Sequence, residues 1–256
     1  MENRTFLNSF PIDSVPKPTV LCFPHAGGSS EDYLKWQENI NSYATLKAIC
    51  LPGTGRLFAE KYPSSIEFLT TKIANDIDCS GIDEYYLFGH SMGAILAYEV
   101  ALKVKKPAKG LIVSSSAAPA FVPSPRILKM TAMSDKDFSR EIIFFNGIEE
   151  NLATSEDFIS FFIKRIRKDF ELISKYKHQP KNILSIPVYS VVGDRDPHVS
   201  IDAIDQWKLF TVGNYKKYIV PGDHFYFNDN PTSVASVIKD CINQENNNES
   251  YQSLII

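Results

Sequence analysis

Serine, histidine and a carboxylate make an acyl-transfer catalyst when base and acid are held beside the nucleophile, and this chain has a segment suited to each. The nucleophile segment is Gly89-His90-Ser91-Met92-Gly93, a G-x-S-x-G. The YYLF run before it reads as a strand, and AILAYEVALKV after it reads as a helix. That context puts Ser91 on a sharp, strained turn with its oxygen exposed above a sheet, and flanking glycines avoid clashes there. The competing reading is a glycine-rich turn with a passive serine.

The partners of such a serine follow it in the order acid, then histidine. The histidines are His25, His90, His178, His198 and His224. Order removes His25 and His90 as bases, and His178 precedes the last two strand candidates. His198 stands two residues beyond the favoured acid, too close to reach the nucleophile from the same loop. His224, in Pro221-Gly222-Asp223-His224-Phe225, follows the final strand candidate and is the expected base; a surface-loop histidine is its alternative. The acid is expected in Gly193-Asp194-Arg195-Asp196-Pro197. Asp196 is preferred because the G-x-x-D spacing carries its carboxylate past the strand end, with Asp194 as the alternative. Asp194, Asp196 and His198 at alternate positions could also hold a metal, but no fourth ligand stands at sensible spacing, so none is expected.

An acyl-transfer site also needs donors aimed at the developing oxyanion. The backbone N–H of Met92, after the nucleophile, is one expected donor. The other is expected from the loop Phe23-Pro24-His25-Ala26-Gly27-Gly28-Ser29, where paired glycines allow close backbone approach; the N–H of Ala26 is preferred. His25 reads as a hydrogen-bonding partner within that loop.

Positioning these residues calls for a sheet. Strand candidates are Thr19–Phe23, Thr45–Leu51, Glu84–Phe88, Gly110–Ser114, Pro187–Val192 and Tyr215–Val220, several of them near-continuous apolar runs typical of strands covered on both faces. Between them, Ile66, Leu69, Ile73 and Ile77, and Ala94, Ala97, Tyr98 and Ala101, form helical stripes. The alternation predicts an α/β fold with a mostly parallel central sheet and helices on both faces, ligands binding at the strands' carboxyl ends. Residues 1–18 read as an extended lead-in. The alternation breaks at about 119–182, an all-helical insertion with a capping-box start at Ser134 and Asp137. A later stripe there comprises Phe158, Phe162, Ile166, Phe170 and Ile173. It is expected to face the sheet or an acyl pocket, with Phe158, Phe162 and Ile166 as substrate-lining candidates. Lys164, Arg165, Arg167 and Lys168 are expected on the opposite side. The whole chain, 1–256, reads as one domain with a flexible tail at 243–256.

Composition excludes several classes. The 256 residues are 44% hydrophobic and 22% charged with a formal net charge of −3, which gives no electrostatic reason to bind nucleic acid or an anionic membrane. No apolar run approaches the ~18–20 residues of a membrane-spanning helix. The start MENRTFLNSF has no basic segment followed by an apolar one, which argues against a signal peptide. Cys22, Cys50, Cys79 and Cys241 show no CxxC pairing and read as free thiols of a cytoplasmic protein.

Taken together, FPHAGGSS at 23–30, LPGTGR at 51–56, FGHSMGA at 88–94, GDRDP at 193–197 and PGDHFYF at 221–227 resemble the stand-alone type II thioesterases of nonribosomal peptide and polyketide assembly lines. The resemblance spans roughly 18–242. The stretches Met133–Phe138 and Asp169–Ile173 resemble that family's helical lid. Thr54 departs from the family pattern, in which an arginine is common between the glycines; Arg56 is retained. The resemblance implies an α/β-hydrolase fold and a Ser91–His224–Asp196 triad. It also implies hydrolysis of acyl groups from the phosphopantetheine arm of an acyl- or peptidyl-carrier protein, with no cofactor and a monomer favoured. Two other readings stay open. One is a small-molecule carboxylesterase or lipase with the same triad. The other is a non-catalytic hydrolase-fold binding module.

Overall fold

The computed structural model describes residues 5–9, 17–146, 162–180 and 182–253. Its frame is a seven-stranded sheet: β1 (Leu7–Ser9), β2 (Thr19–Phe23), β3 (Thr45–Ile49), β4 (Tyr85–His90), β5 (Gly110–Ser114), β6 (Val188–Gly193) and β7 (Tyr215–Val220). The spatial order is β1-β3-β2-β4-β5-β6-β7. All neighbours are parallel except β1, which pairs antiparallel to β3 through Leu7 opposite Ile49. The six anticipated strands are all present, three with the expected ends and three with an end shifted by one or two residues. β1 was expected only as lead-in: three residues are too few to show a period-2 pattern. It is held from outside, by Arg56 donating to the Leu7 carbonyl and by the Phe6 N–H on Asp76 at 2.7 Å.

Strand alternation explains how the sheet is covered. Along β2, Val20 and Cys22 point to a core shared with Trp36, Phe227 and Ile238, while Leu21 and Phe23 point to the other, shared with Ile73, Leu96 and Trp207. The second layer is built on α1 (Ile66–Cys79) and α2 (Met92–Ala101). α1 buries the anticipated stripe Ile66, Leu69, Ile73 and Ile77, and Ser65 caps it by accepting from the Phe68 N–H at 3.1 Å.

Between β5 and β6 the described elements of 119–182 are helical: a turn at Pro119–Phe121, α3 (Pro125–Thr131), α4 (Asp135–Asn146) and α5 (Lys164–Ser174). Ser134 starts α4 by accepting from the Asp137 N–H at 3.2 Å. Met130, Phe138, Ile142, Ile163, Ile166 and Phe170 form a small core of their own. Leu172 and Ile173, one turn further along α5, enter the main core, so this helix joins the insertion to the sheet.

The last helix, α6 (Pro231–Ser253), carries helix through 243–253, the stretch expected as a tail. Glu245 lies one turn beyond the buried pair Cys241 and Ile242 and accepts the Tyr189 hydroxyl. The polar composition of NQENNNES hid this continuation, because only one side of the helix has to face the protein.

Candidate active site

Ser91 stands between the end of β4 and the start of α2 with φ 53° and ψ −118°. Non-glycine residues held at positive φ cost about 1–3 kcal/mol, so the surroundings must impose the conformation. They do so through a 2.8 Å bond from the Ser91 N–H to the Ser114 carbonyl and a 3.0 Å bond from the Ala94 N–H to the Ser91 carbonyl. The glycines of the motif are steric requirements. A Cβ on Gly89 would lie 2.2 Å from the Gly93 carbonyl oxygen, and one on Gly93 would lie 2.1 Å from the Phe23 carbonyl oxygen. The turn also points the first, unpaired N–H groups and positive dipole end of α2 toward the serine.

His224 follows β7 and is buried, with its Nδ1 2.9 Å from Asp196 Oδ2. Asp196 lies past the end of β6, and its Oδ1 accepts from the N–H groups of His198 at 2.8 Å and Val199 at 3.1 Å. Burial pushes its carboxyl up, but the His224 ring, the His198 N–H and the Ser115 hydroxyl outweigh that and hold it below the usual carboxylate range. Asp194 turns away and accepts the Gly222 N–H at 2.8 Å. Gly193 lets these two loops close: a Cβ there would meet the Asp223 carbonyl oxygen at 2.3 Å. Among the described residues no cluster of three or more metal-ligating side chains occurs.

The loop after β2 has nearly all its amides engaged. The His25 N–H donates to Tyr33 Oη at 3.2 Å, Gly27 N–H to Asp169 at 2.8 Å, Gly28 N–H to the His25 carbonyl at 2.9 Å and Ser29 N–H to Asp32 at 2.8 Å. Between His25 and Ser29, the Ala26 N–H is the amide with no acceptor among the described residues. The His25 ring contacts the Tyr33 hydroxyl at 2.8 Å, as a partner within the loop. Burial pushes the His25 pKa down to about 4 and holds the fully buried His90 well below the usual histidine range. Both rings therefore stay neutral near the His224 imidazole, which stands 4.9 Å from His90 between centroids.

Ser91, Met92, Ala26 and His224 all wall one cavity of about 250 Å³. Its apolar wall includes Ile95, Phe121, Ile127, Phe170 and Ile173. The structure sends two of the three substrate-lining candidates elsewhere. Phe158 lies outside the described residues, Phe162 is exposed beside a second cavity, and Ile166 is buried in the small core against Gly27. Phe170 and Ile173, one and two turns along the same stripe, reach the cavity instead. His198 and Arg126 complete the rim, with Arg126 donating to His198 Nδ1 at 3.0 Å and to Glu141 at 3.1 Å. A guanidinium has no acceptor, so His198 presents Nδ1 as a lone pair.

The fourfold basic face is also revised. Lys164 and Lys168 are exposed, but Arg165 donates to the carbonyls of Gly27 and Gly28, and Arg167 pairs with Asp135 at 2.9 Å while lying over the Phe138 ring. At about 100° per residue, positions 164 and 168 nearly eclipse, whereas 165 and 167 fall to either side and reach the protein. The residues that sequence reasoning missed are Arg126, Asp169 and Tyr62. Asp169 carried a readable signal, since it is a carboxylate inside the stripe Ile166, Phe170, Ile173. Burial pushes its carboxyl up to about 7, against the Gly27 N–H that favours its charged form.

A parallel sheet with a serine at a strained strand–helix turn and an acid and histidine on later strand-end loops defines the class, an α/β hydrolase. The chain belongs to the thioesterase domain family, which residues 18–242 match, and it is a thioester hydrolase. This bears out the resemblance read from the motifs. Thioesterase PikA5 of Streptomyces venezuelae is 27% identical over 226 residues, covering 86% of this chain and 79% of that protein. The medium-chain S-acyl fatty acid synthase thioesterase of Rattus norvegicus is 26% identical, covering 87% of each. Among solved structures, YbtT, a type II thioesterase from the yersiniabactin NRPS/PKS pathway, superposes with a TM-score of 0.84 at 25% identity, covering 94% of this chain and 99% of that one.

Proposed function

We propose that the enzyme hydrolyses acyl groups from the phosphopantetheine arm of an acyl- or peptidyl-carrier protein, as a monomer in the cytoplasm, clearing or releasing chains in nonribosomal peptide or polyketide synthesis. The observation that carries the catalytic part is the 2.9 Å contact between His224 Nδ1 and Asp196, with the Ser91 turn on the same cavity wall as His224. Ser91 Oγ attacks the thioester carbonyl while His224 Nε2 takes its proton. Asp196 keeps Nδ1 protonated and favours the imidazolium that forms. The N–H groups of Met92 and Ala26 bind the tetrahedral oxyanion. The thiolate leaves readily, its conjugate acid having a pKa near 8.5. His224 then activates a water that releases the acid from the Ser91 ester.

The carrier-protein assignment is supported by the pathway named for YbtT. The free thiols at Cys22, Cys50, Cys79 and Cys241 accord with a reducing setting, and no described helix is long and apolar enough to cross a membrane. The test compares acyl-loaded carrier proteins, small acyl thioesters and p-nitrophenyl esters by kcat/KM. A carrier-linked acyl group should be preferred by 10-fold or more over the free thioester. Preference for the p-nitrophenyl ester would favour a small-molecule esterase, and no turnover of any substrate would favour a binding module. Ser91→Ala and His224→Ala should each lose roughly 10⁴-fold or more in kcat.

A further inference from the structure

The insertion holds the loop after β2 with a set of buried polar contacts that the triad does not use. Asp169, on α5, is 1% exposed. One of its oxygens accepts the Gly27 N–H at 2.8 Å, and the other accepts the Tyr62 hydroxyl. Arg165, one turn earlier, donates to the Gly27 carbonyl at 3.0 Å and the Gly28 carbonyl at 2.6 Å, and reaches Asp169 at 3.5 Å. Gly27 has φ 86°, a conformation that disfavours a side chain, and Ile166 crowds the position: a Cβ would lie 3.0 Å from Ile166 Cγ1. Both hydrogen-bonding groups of Gly27 are therefore fixed by α5, immediately after Ala26.

We propose that Asp169 and Arg165 are positioning residues which set the Ala26–Gly27 turn so that the Ala26 N–H faces the oxyanion. The inference rests on the oxyanion role proposed above for Ala26. Three facts carry it. The Gly27 N–H is spent on Asp169 and so does not compete for the oxyanion. The neighbouring Ala26 N–H has no acceptor among the described residues, and Ala26 walls the cavity that Ser91 opens into. The contacts come from a helix that also supplies Phe170 and Ile173 to that cavity, so one rigid element fixes both acyl wall and donor. Donors held in place before reaction are what make an oxyanion site effective, and losing one costs about 10²–10³ in kcat.

The test uses the full-length enzyme with a short acyl N-acetylcysteamine thioester, which makes few contacts with the apolar wall. It also uses an alkyl boronic acid, which forms a tetrahedral adduct on an active serine. Asp169→Asn keeps the shape but cannot accept from Gly27, Tyr62 and Arg165 together. It should lower kcat by roughly 10- to 100-fold, leave KM within about twofold, and raise the boronate Ki in the same proportion. Arg165→Lys, whose ammonium cannot span two carbonyls and a carboxylate in one plane, should act in the same direction by about 5- to 10-fold. It decides the matter if Asp169→Asn gives no cooperative melt. Unchanged kcat and Ki in a folded variant, or a rise in KM alone, would overturn the positioning role. Ser91→Ala is the control for the underlying reading: if it turns over like wild type, or boronate does not inhibit wild type, the serine mechanism itself fails, whatever Asp169→Asn does.

Discussion

Asp194 and Asp196 stand two positions apart and turn their carboxylates to different partners, one to the Gly222 N–H and the other to the His224 ring. In the proposed mechanism only Asp196 fixes the imidazole tautomer. Asp196→Asn should retain the fold yet lose about 10⁴-fold in kcat. Asp194→Asn keeps an oxygen that still accepts from Gly222 and should lose less than about threefold. Kinetics on one acyl thioester checks both, and the reverse order of severity would move the acid by two residues. Sequence reached this loop through the strand before it and the G-x-x-D spacing. It had no route to the Tyr62 and Gly27 contacts with Asp169, because these join positions 107 and 142 apart in sequence through folded geometry. A buried carboxylate does leave a trace, as a polar residue on an apolar stripe, and Asp169 has it.

At the scale of elements, the parallel strands were legible because burial on both faces demands near-continuous apolar runs, as in Val20–Phe23 and Leu111–Val113. β1 was not, being three residues pinned by distant side chains. The helical insertion was legible in kind but not in orientation. The part of the stripe from Ile166 to Ile173 belongs to two cores, so Ile166 serves the insertion while Phe170 and Ile173 line the cavity. The turn at Ser91 yields the sharpest element-level expectation. Gly93→Ala puts a methyl group 2.1 Å from the Phe23 carbonyl oxygen, where backbone rather than a flexible side chain must yield. That substitution should lower unfolding stability by about 3 kcal/mol or more, or prevent folding. Urea denaturation checks it, and a loss below about 1 kcal/mol would mean that β2 and α2 are not pressed together as described.

For the whole molecule, the net charge of −3 means that electrostatic attraction to the anionic phosphopantetheine arm of the proposed carrier protein must be local. The exposed Lys164 and Lys168 lie on one face of α5 beside a cavity of about 470 Å³ that also meets Phe58 and Phe162. Lys164→Glu with Lys168→Glu spares the two arginines that hold the insertion together. It should raise KM for an acyl-carrier protein several-fold while leaving a small acyl thioester unchanged. Steady-state kinetics at low salt and at 1 M, where the Debye length falls to about 3 Å, should show the effect fading; equal loss on both substrates would indicate a disturbed insertion. The central claim is that the acyl group passes through Ser91. Rapid-quench mass spectrometry of the enzyme mixed with an acyl thioester reads this directly. The acyl mass should appear on the peptide bearing Ser91 within the first turnover, decay as free acid forms, and be absent from Ser91→Ala. An adduct on another residue, or undiminished hydrolysis by Ser91→Ala, would contradict the account.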